Sequence, residues 1–218
     1  MDFNNEEEQI EAIKEWLRKN GVPVLLGIVV VVGGTFGWRG WQAHQYEQDA
    51  AASAVYQQML TGLQQSSANA SDVTAMKAVQ DAADQLVKGW PKSSYADYAH
   101  LALAKQAVAR ADYDQAIDQL TQVADKPATK ALGYTANLRL ARVYVQTGKL
   151  DDAKKIVEGF FPEAWQGEAL ELKGDVLAQQ QDMAGAKSAY EAARSAYGAT
   201  SAAAQRLQMK LNQLEATS

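Results

Sequence analysis

Side chains able to do chemistry are few in this sequence. His44 and His100 are its two histidines, and they sit on different segments without paired carboxylates nearby. His44 follows closely on an apolar run. His100 lies inside a helix-periodic segment, where a packing or surface role is expected of it. Asp151 and Asp152 are adjacent acids, but they stand where a helix should start, and negative charge there suits the helix dipole. HExxH, phosphate-loop and GxSxG motifs are all missing. The lack of cysteine removes thiol nucleophiles, cysteine zinc sites, disulfides and a lipidated amino-terminal cysteine together. Against 21 Lys and Arg stand 26 Asp and Glu, a formal charge of -5 without a basic cluster, which argues against a nucleic-acid partner. No catalytic, cofactor-binding or metal-binding residue is nominated, and the expected function is recognition, not reaction.

The first element that must position anything is an apolar run. From Asn20 to Trp38 there are 19 uncharged residues. A helix of that length spans roughly 28 Å, close to the hydrocarbon thickness of a bilayer. Trp16, Trp38 and Trp41 flank it, as interfacial aromatics do. A cleaved signal peptide would have a shorter apolar core with small residues close behind it. Here Ala50–Ala52 and Ala52–Ala54, the nearest such patterns, lie beyond Arg39 and a polar stretch, so a retained anchor is expected. Lys14, Arg18 and Lys19 precede the run, whereas only Arg39 follows it before Lys77. That asymmetry predicts a cytoplasmic amino terminus and an exported remainder. The expected organisation is a cytoplasmic tail over 1–20, a transmembrane helix over 21–41 and an exported, periplasmic domain over 42–218. Gly33 and Gly37 have the GxxxG spacing that lets a second membrane helix pack closely, although glycine is also common in membrane helices generally. In the tail, Asn5 can cap a helix whose Ile10, Ile13 and Leu17 form an apolar stripe, and Asn20-Gly21 with Pro23 should end it. That helix suits a membrane surface or a cytoplasmic partner.

Beyond residue 42 strand signals are absent, and Pro91, Pro127 and Pro162 fall between periodic segments. The pattern predicts helices near 42–65, 73–88, 94–110, 113–124, 130–147, 150–160, 164–180, 183–196 and 199–215. Three stretches align: DYDQAIDQL, KLDDAKKIV and DMAGAKSAY, with Ala116, Ala153 and Ala186 each at the fifth place, 37 and 33 residues apart. Four residues after each alanine comes a larger apolar residue, Leu120, Val157 or Tyr190. Three before it stands Tyr113, Leu150 or Met183, and twelve before it a small residue, Ala104, Ala141 or Gly174. Antiparallel helices approach closely only where small residues face each other, with larger ones filling the flanks. The pattern resembles a degenerate tetratricopeptide repeat (TPR). The predicted fold class is therefore all-α, a single membrane helix followed by a TPR-like solenoid of helix pairs. The helices near 42–65 and 73–88 should cap one end and the last helix the other.

Stacked helix pairs make a concave groove lined by the first helix of each pair. By repeat phase the candidates are Tyr98, Leu101 and Lys105, then Leu138 and Arg142, then Glu168, Glu171 and Asp175, a face running from basic to acidic. The plain alternative is a solvated helix surface. Phe160, Phe161 and Trp165 cluster in FFPEAW, which suits burial between repeats or a contact with a partner.

NLRLARVYVQ (137–146), GEALELKGDVLAQQQDMAGAKSAYEAA (167–193), QMKLNQL (208–214) and GWRGWQAHQ (37–45), behind an acidic start, resemble the YfgM family of Gram-negative inner-membrane proteins. The resemblance covers nearly the whole chain and is loose over 60–95. It implies a non-enzymatic ancillary subunit of the SecYEG translocon, associated with a PpiD-like periplasmic chaperone and helping to pass exported client polypeptides to such chaperones. It also implies a role for the cytoplasmic tail in restraining an envelope-stress regulator. A regulator acting through that tail, and a cell-envelope assembly scaffold, are the alternatives. No catalytic residue is implied.

Overall fold

The computed structural model describes residues 3–68, 72–198 and 201–217. Residues 1–2, where the expected tail begins, and 199–200, where the last helix was expected to start, lie outside the described residues, as do 69–71 and Ser218. So do the side chains of residues 1–9, including Asn5, the expected cap of the tail helix, and those of residues 12, 24, 28 and 67. Contacts divide the chain into two units, residues 1–51 and 52–218.

The first unit belongs to α1 (Phe3–Ala68), which has Pro23 inside it. The sequence predicts a helix end at Asn20 to Pro23, then an anchor, then a new helix near 42. Instead the backbone stays helical throughout, and the expected end is a bend of 44° between Ile13–Pro23 and Leu25–Ser66. A proline ring removes one hydrogen bond and crowds the preceding turn, which kinks a helix without having to end it. The apolar run thus straddles the kink. Among the described residues no single helix is long and apolar enough to cross a membrane, although the two arms together meet that condition by length and composition. Val22, Leu25, Leu26, Phe36 and Trp38 are all exposed. A methyl group added at Gly33 or Gly37 would meet nothing within 4 Å, so both glycines stand open.

The second unit is all helix among its described residues. After the end of α1 come α2 (Val73–Gly89), α3 (Ser94–Ala109), α4 (Tyr113–Asp125), α5 (Lys130–Gln146), α6 (Leu150–Val157), α7 (Glu163–Gln179), α8 (Met183–Tyr197) and α9 (Ala202–Thr217). From α2 onward each helix packs against the next, and α5 also touches α3 and α7, which stacks the first helices of successive pairs. This is a TPR-like solenoid.

Local chemistry sets the boundaries. Asp72, Ser93, Asp112, Thr129 and Asp182 each accept a backbone N–H three residues on, as N-caps. The turns inside the three pairs share one geometry. Ala111, Gly148 and Gln181 each adopt a positive φ, of 58°, 73° and 65°. The next N–H in each turn reaches back to Ala107, Tyr144 or Leu177, and the N–H of the positive-φ residue reaches Val108, Val145 or Ala178. This is the Schellman arrangement, which satisfies the last carbonyls of a helix.

The alanines predicted to face a crossing, Ala116, Ala153 and Ala186, are fully buried, and Ala104 and Ala141 are buried with them. At Gly174 the crossing is tightest: a methyl group there would lie 2.3 Å from the Tyr190 ring. One core gathers Leu120, Val123, Leu132 and Leu140 between α3, α4 and α5. A second joins Ala52 and Met59 of α1 to Val79, Leu86 and Leu103. The α1 end of this unit thus caps the array as expected. Phe161 and Trp165 pack into the core around Leu138 and Leu172, with Tyr134 against both rings, whereas Phe160 is 82% exposed. His100 faces Gln119 of α4, with Nδ1 2.7 Å from its Oε1. Asp97, only 4% exposed, accepts the Ala128 N–H at 2.8 Å and so ties α3 to the loop before α5. Burial pushes its carboxyl pKa up, against the Ala128 hydrogen bond and the charge of His100.

Two predictions follow from this packing. Gly174→Ala should lower stability by about 1–3 kcal/mol, measured by thermal unfolding, because overpacking against Tyr190 outweighs the better helix propensity of alanine. Ala111→Gly should raise stability by about 0.5–1 kcal/mol and Gly148→Ala should lower it by a similar amount, because only glycine takes a positive φ freely. Equal signs for these two variants would contradict the shared turn geometry.

Candidate functional site

Two neighbouring recesses open on the face formed by the first helices. One, of about 620 Å³, is lined by Leu101, Ala104, Lys105 and Val108 of α3, Tyr113 and Leu120 of α4, and Arg139, Arg142, Val143 and Gln146 of α5. The other, of about 420 Å³, lies toward α1 and is lined there by Tyr56, Met59, Leu60 and Leu63. Leu101, Lys105 and Arg139 line both, so the recesses run into one groove. Repeat geometry explains their placement. Residues three and four apart share a helix face, which puts Leu101 and Lys105 together on α3, and Arg139 and Arg142 together on α5.

The structure brings together Tyr98, Leu101, Lys105 and Arg142 of the predicted groove residues. Tyr98 lines the α1-side recess and stacks on Tyr56 with ring centroids 5.5 Å apart. Leu138 is a correction. It has no exposed surface and belongs to the core with Ala141 and Leu172, because its side of α5 packs on α6 and α7.

The acidic end also differs from the expectation. Glu168 pairs with Arg142 at 2.8 Å across α5 and α7. Glu171 is buried, and accepts hydrogen bonds from Arg206 Nε at 3.1 Å and Nη2 at 2.7 Å. Lys210 approaches Glu171 at 3.0 Å and Asp175 at 2.6 Å, and Tyr190 donates its hydroxyl to Asp175 at 2.7 Å. Glu171 and Asp175 are engaged by α9, so this part of the predicted acidic end is a clamp that holds the last helix onto α7, while Glu168 is held by Arg142 of α5. Asp175 still borders a separate recess of about 360 Å³ with Tyr190 and Lys210.

Electrostatics in the clamp follow from burial and charge. Burial alone would raise the Glu171 carboxyl, but the hydrogen bonds and charges of Arg206 and Lys210 outweigh it and hold the pKa below the usual value. Burial, then the Asp175 hydrogen bond, pushes the Tyr190 phenol far upward. Tyr197 is pushed up to about 12, first by burial and then by the charges of Glu171 and Glu168.

Sequence reasoning missed Arg139, Tyr113 and Val143 in the groove. Arg139 lies one turn before Arg142, so helical spacing alone could have found it. Tyr56 and Leu60 had no such signal, because they lie outside the aligned repeats.

A groove between stacked helix pairs defines the class: a TPR-like repeat scaffold. Residues 14–216 match the family described as "Tetratricopeptide repeat-like domain". A protein of Escherichia coli (strain K12) named "Ancillary SecYEG translocon subunit" is 32% identical over 212 residues, which is 97% of this chain and 98% of that one. A protein of Haemophilus influenzae with the same name is 34% identical, covering 98% of this chain and all of its own. One of Aggregatibacter actinomycetemcomitans, also so named, is 34% identical over 96% of this chain and 97% of its own. The chain belongs to this TPR-like family of ancillary SecYEG translocon subunits. The family is a scaffold type, and none of these names denotes an enzyme.

The clamp gives a pH prediction. The folded pKa of Glu171 lies below its unfolded value. The stability it adds is therefore complete above the unfolded value of about 4.3 and is lost as pH falls through the folded one. Glu171→Gln should cost about 1–3 kcal/mol at pH 7, and the gap to wild type should close as the solution is acidified below about pH 4. Thermal unfolding across that range reads both, and a gap independent of pH would refute the ionic origin of the clamp.

Proposed function

We propose that this protein is a membrane-anchored, non-enzymatic accessory of the Sec translocon. Its helical array sits beside the export channel and holds a partner polypeptide in the groove of α3 and α5. The observation that carries this reading is the match, over nearly the full length, to relatives named ancillary SecYEG translocon subunit.

The further parts of the proposal rest on the sequence and on exposure. Residues 21–41 are the retained transmembrane anchor, residues 1–20 the cytoplasmic tail and residues 42–218 the periplasmic domain of a bacterial inner-membrane protein. The exposed apolar side chains of α1, among them Val22, Leu25, Leu26, Phe36, Trp38 and Trp41, support an anchor, since exposed apolar surface of that extent calls for lipid or protein to cover it. The Lys and Arg asymmetry supports the orientation. Gly33 and Gly37, open to close approach, are the place where a helix of the channel would pack. The partner held outside the membrane is a PpiD-like chaperone or an exported client. A contact in the membrane and a second one outside it reinforce each other, because the tether makes the second contact local.

Photoreactive residues placed at Gly33, Gly37 and Arg142 test this in intact cells. Gly33 and Gly37 should give adducts with a subunit of SecYEG, and Arg142 an adduct with a chaperone or an exported chain. Adducts with neither, from any of the three positions, would remove the proposal.

A further inference from the structure

The groove carries information about its occupant. The chain is acidic overall, with a formal charge of -5, yet among the described residues no Asp or Glu lines either recess. Lys105 and Arg139 line both recesses and are exposed. Among the described residues neither is in an ion pair, whereas Arg142 at the far rim is held by Glu168. Apart from Gln146 in one recess and Thr129 and Thr135 in the other, the rest of the lining is apolar or aromatic, with Leu101, Val108, Tyr113 and Val143 on one side and Tyr56 and Leu60 on the other. Val108 and Tyr98 are large apolar side chains left exposed there.

An apolar floor gains free energy by losing water, and it lowers the local dielectric around charges at its edge. Two unpaired cations there attract carboxylates more strongly than cations on an open surface, and repel basic ligands. We infer that the groove of α3 and α5 selects polypeptide segments in which acidic residues flank apolar ones, the apolar side chains entering the recesses and the carboxylates pairing with Lys105 and Arg139. This rests on the groove reading above and specifies the class of segment it takes. A neutral apolar segment would leave both cations partly desolvated and unpaired, and a basic one would add repulsion.

The test uses the full chain in detergent micelles and three fluorescent amphipathic peptides of one length. The first carries Leu with Glu, the second Leu with Lys, and the third Ser with Glu. Fluorescence anisotropy should show the Leu–Glu peptide binding about tenfold tighter than each of the others, with affinity falling as salt rises. Lys105→Glu with Arg139→Glu should reverse the order of the Leu–Glu and Leu–Lys peptides. Both positions are exposed, and an unchanged thermal midpoint would verify that the variant is folded. If the two Leu peptides bind alike and Val108→Asp weakens both, the groove binds peptide without this selectivity, and the inference fails while the functional reading stands. If no peptide binds, the inference also fails, and the Arg142 photoadducts decide the groove reading separately.

Discussion

The second unit depends on how closely two antiparallel helices can approach. Between α3 and α4, α5 and α6, and α7 and α8, the crossing is occupied by alanine or glycine: Ala104 and Ala116, Ala141 and Ala153, Gly174 and Ala186. Small side chains let the backbones draw together, and the larger Leu120, Val157 and Tyr190 then fill the space one turn away. Protein interiors are packed to crystal-like density, so a single methyl group at such a place is felt. The reversal between helices is equally constrained. A three-residue turn with one left-handed residue joins each pair, and in two of the three pairs a residue other than glycine accepts that strain.

Pairs built this way expose one face of their first helices. In the middle of the array that face stays open and forms the groove around Leu101 and Arg139. At the carboxyl end α9 covers it. The cover is polar: Glu171 and Asp175 on α7 receive Arg206 and Lys210 from α9. A buried carboxylate is costly to desolvate unless its partners satisfy it, and here three nitrogens do so for Glu171. Leu207 and Leu211 on the same helix supply the apolar part, packing with Ala186 and Tyr190. The last helix therefore seals the stack with a mixture of charge pairing and burial, and the groove ends where that seal begins.

The first unit follows a different rule. Among its described residues Leu25, Val30 and Phe36 remain exposed along the helix. In water such a surface is unfavourable, at roughly 25 cal/mol per Å² left uncovered. An anchor resolves this by using lipid as the covering, which is the role proposed for residues 21–41. α1 thus differs along its length: Leu25, Val30 and Phe36 stay exposed, whereas Ala52 and Met59 are buried against Val79 and Leu86.

Periodicity and composition made the helices, the repeat register and the family legible. The predicted starts of α2 to α8 fall within one residue of those observed, because caps such as Asp112 and Asp182 and breakers such as Pro127 and Pro162 are local signals. The alanine register was equally readable, since small residues at a fixed interval leave few alternative crossings. Two kinds of feature were not legible. At Pro23 a sequence can signal a break, but whether the chain stops or bends depends on the conformation of the turns around it. In the groove, Leu138 and Glu171 share a helix phase with true lining residues. Leu138 is buried because α6 and α7 close over it, and Glu171 because α9 brings Arg206 from 35 residues away. Helical spacing within one segment determines which residues share a face. Which faces remain open is decided only when distant helices come to rest on them, and that is a property of the assembled stack.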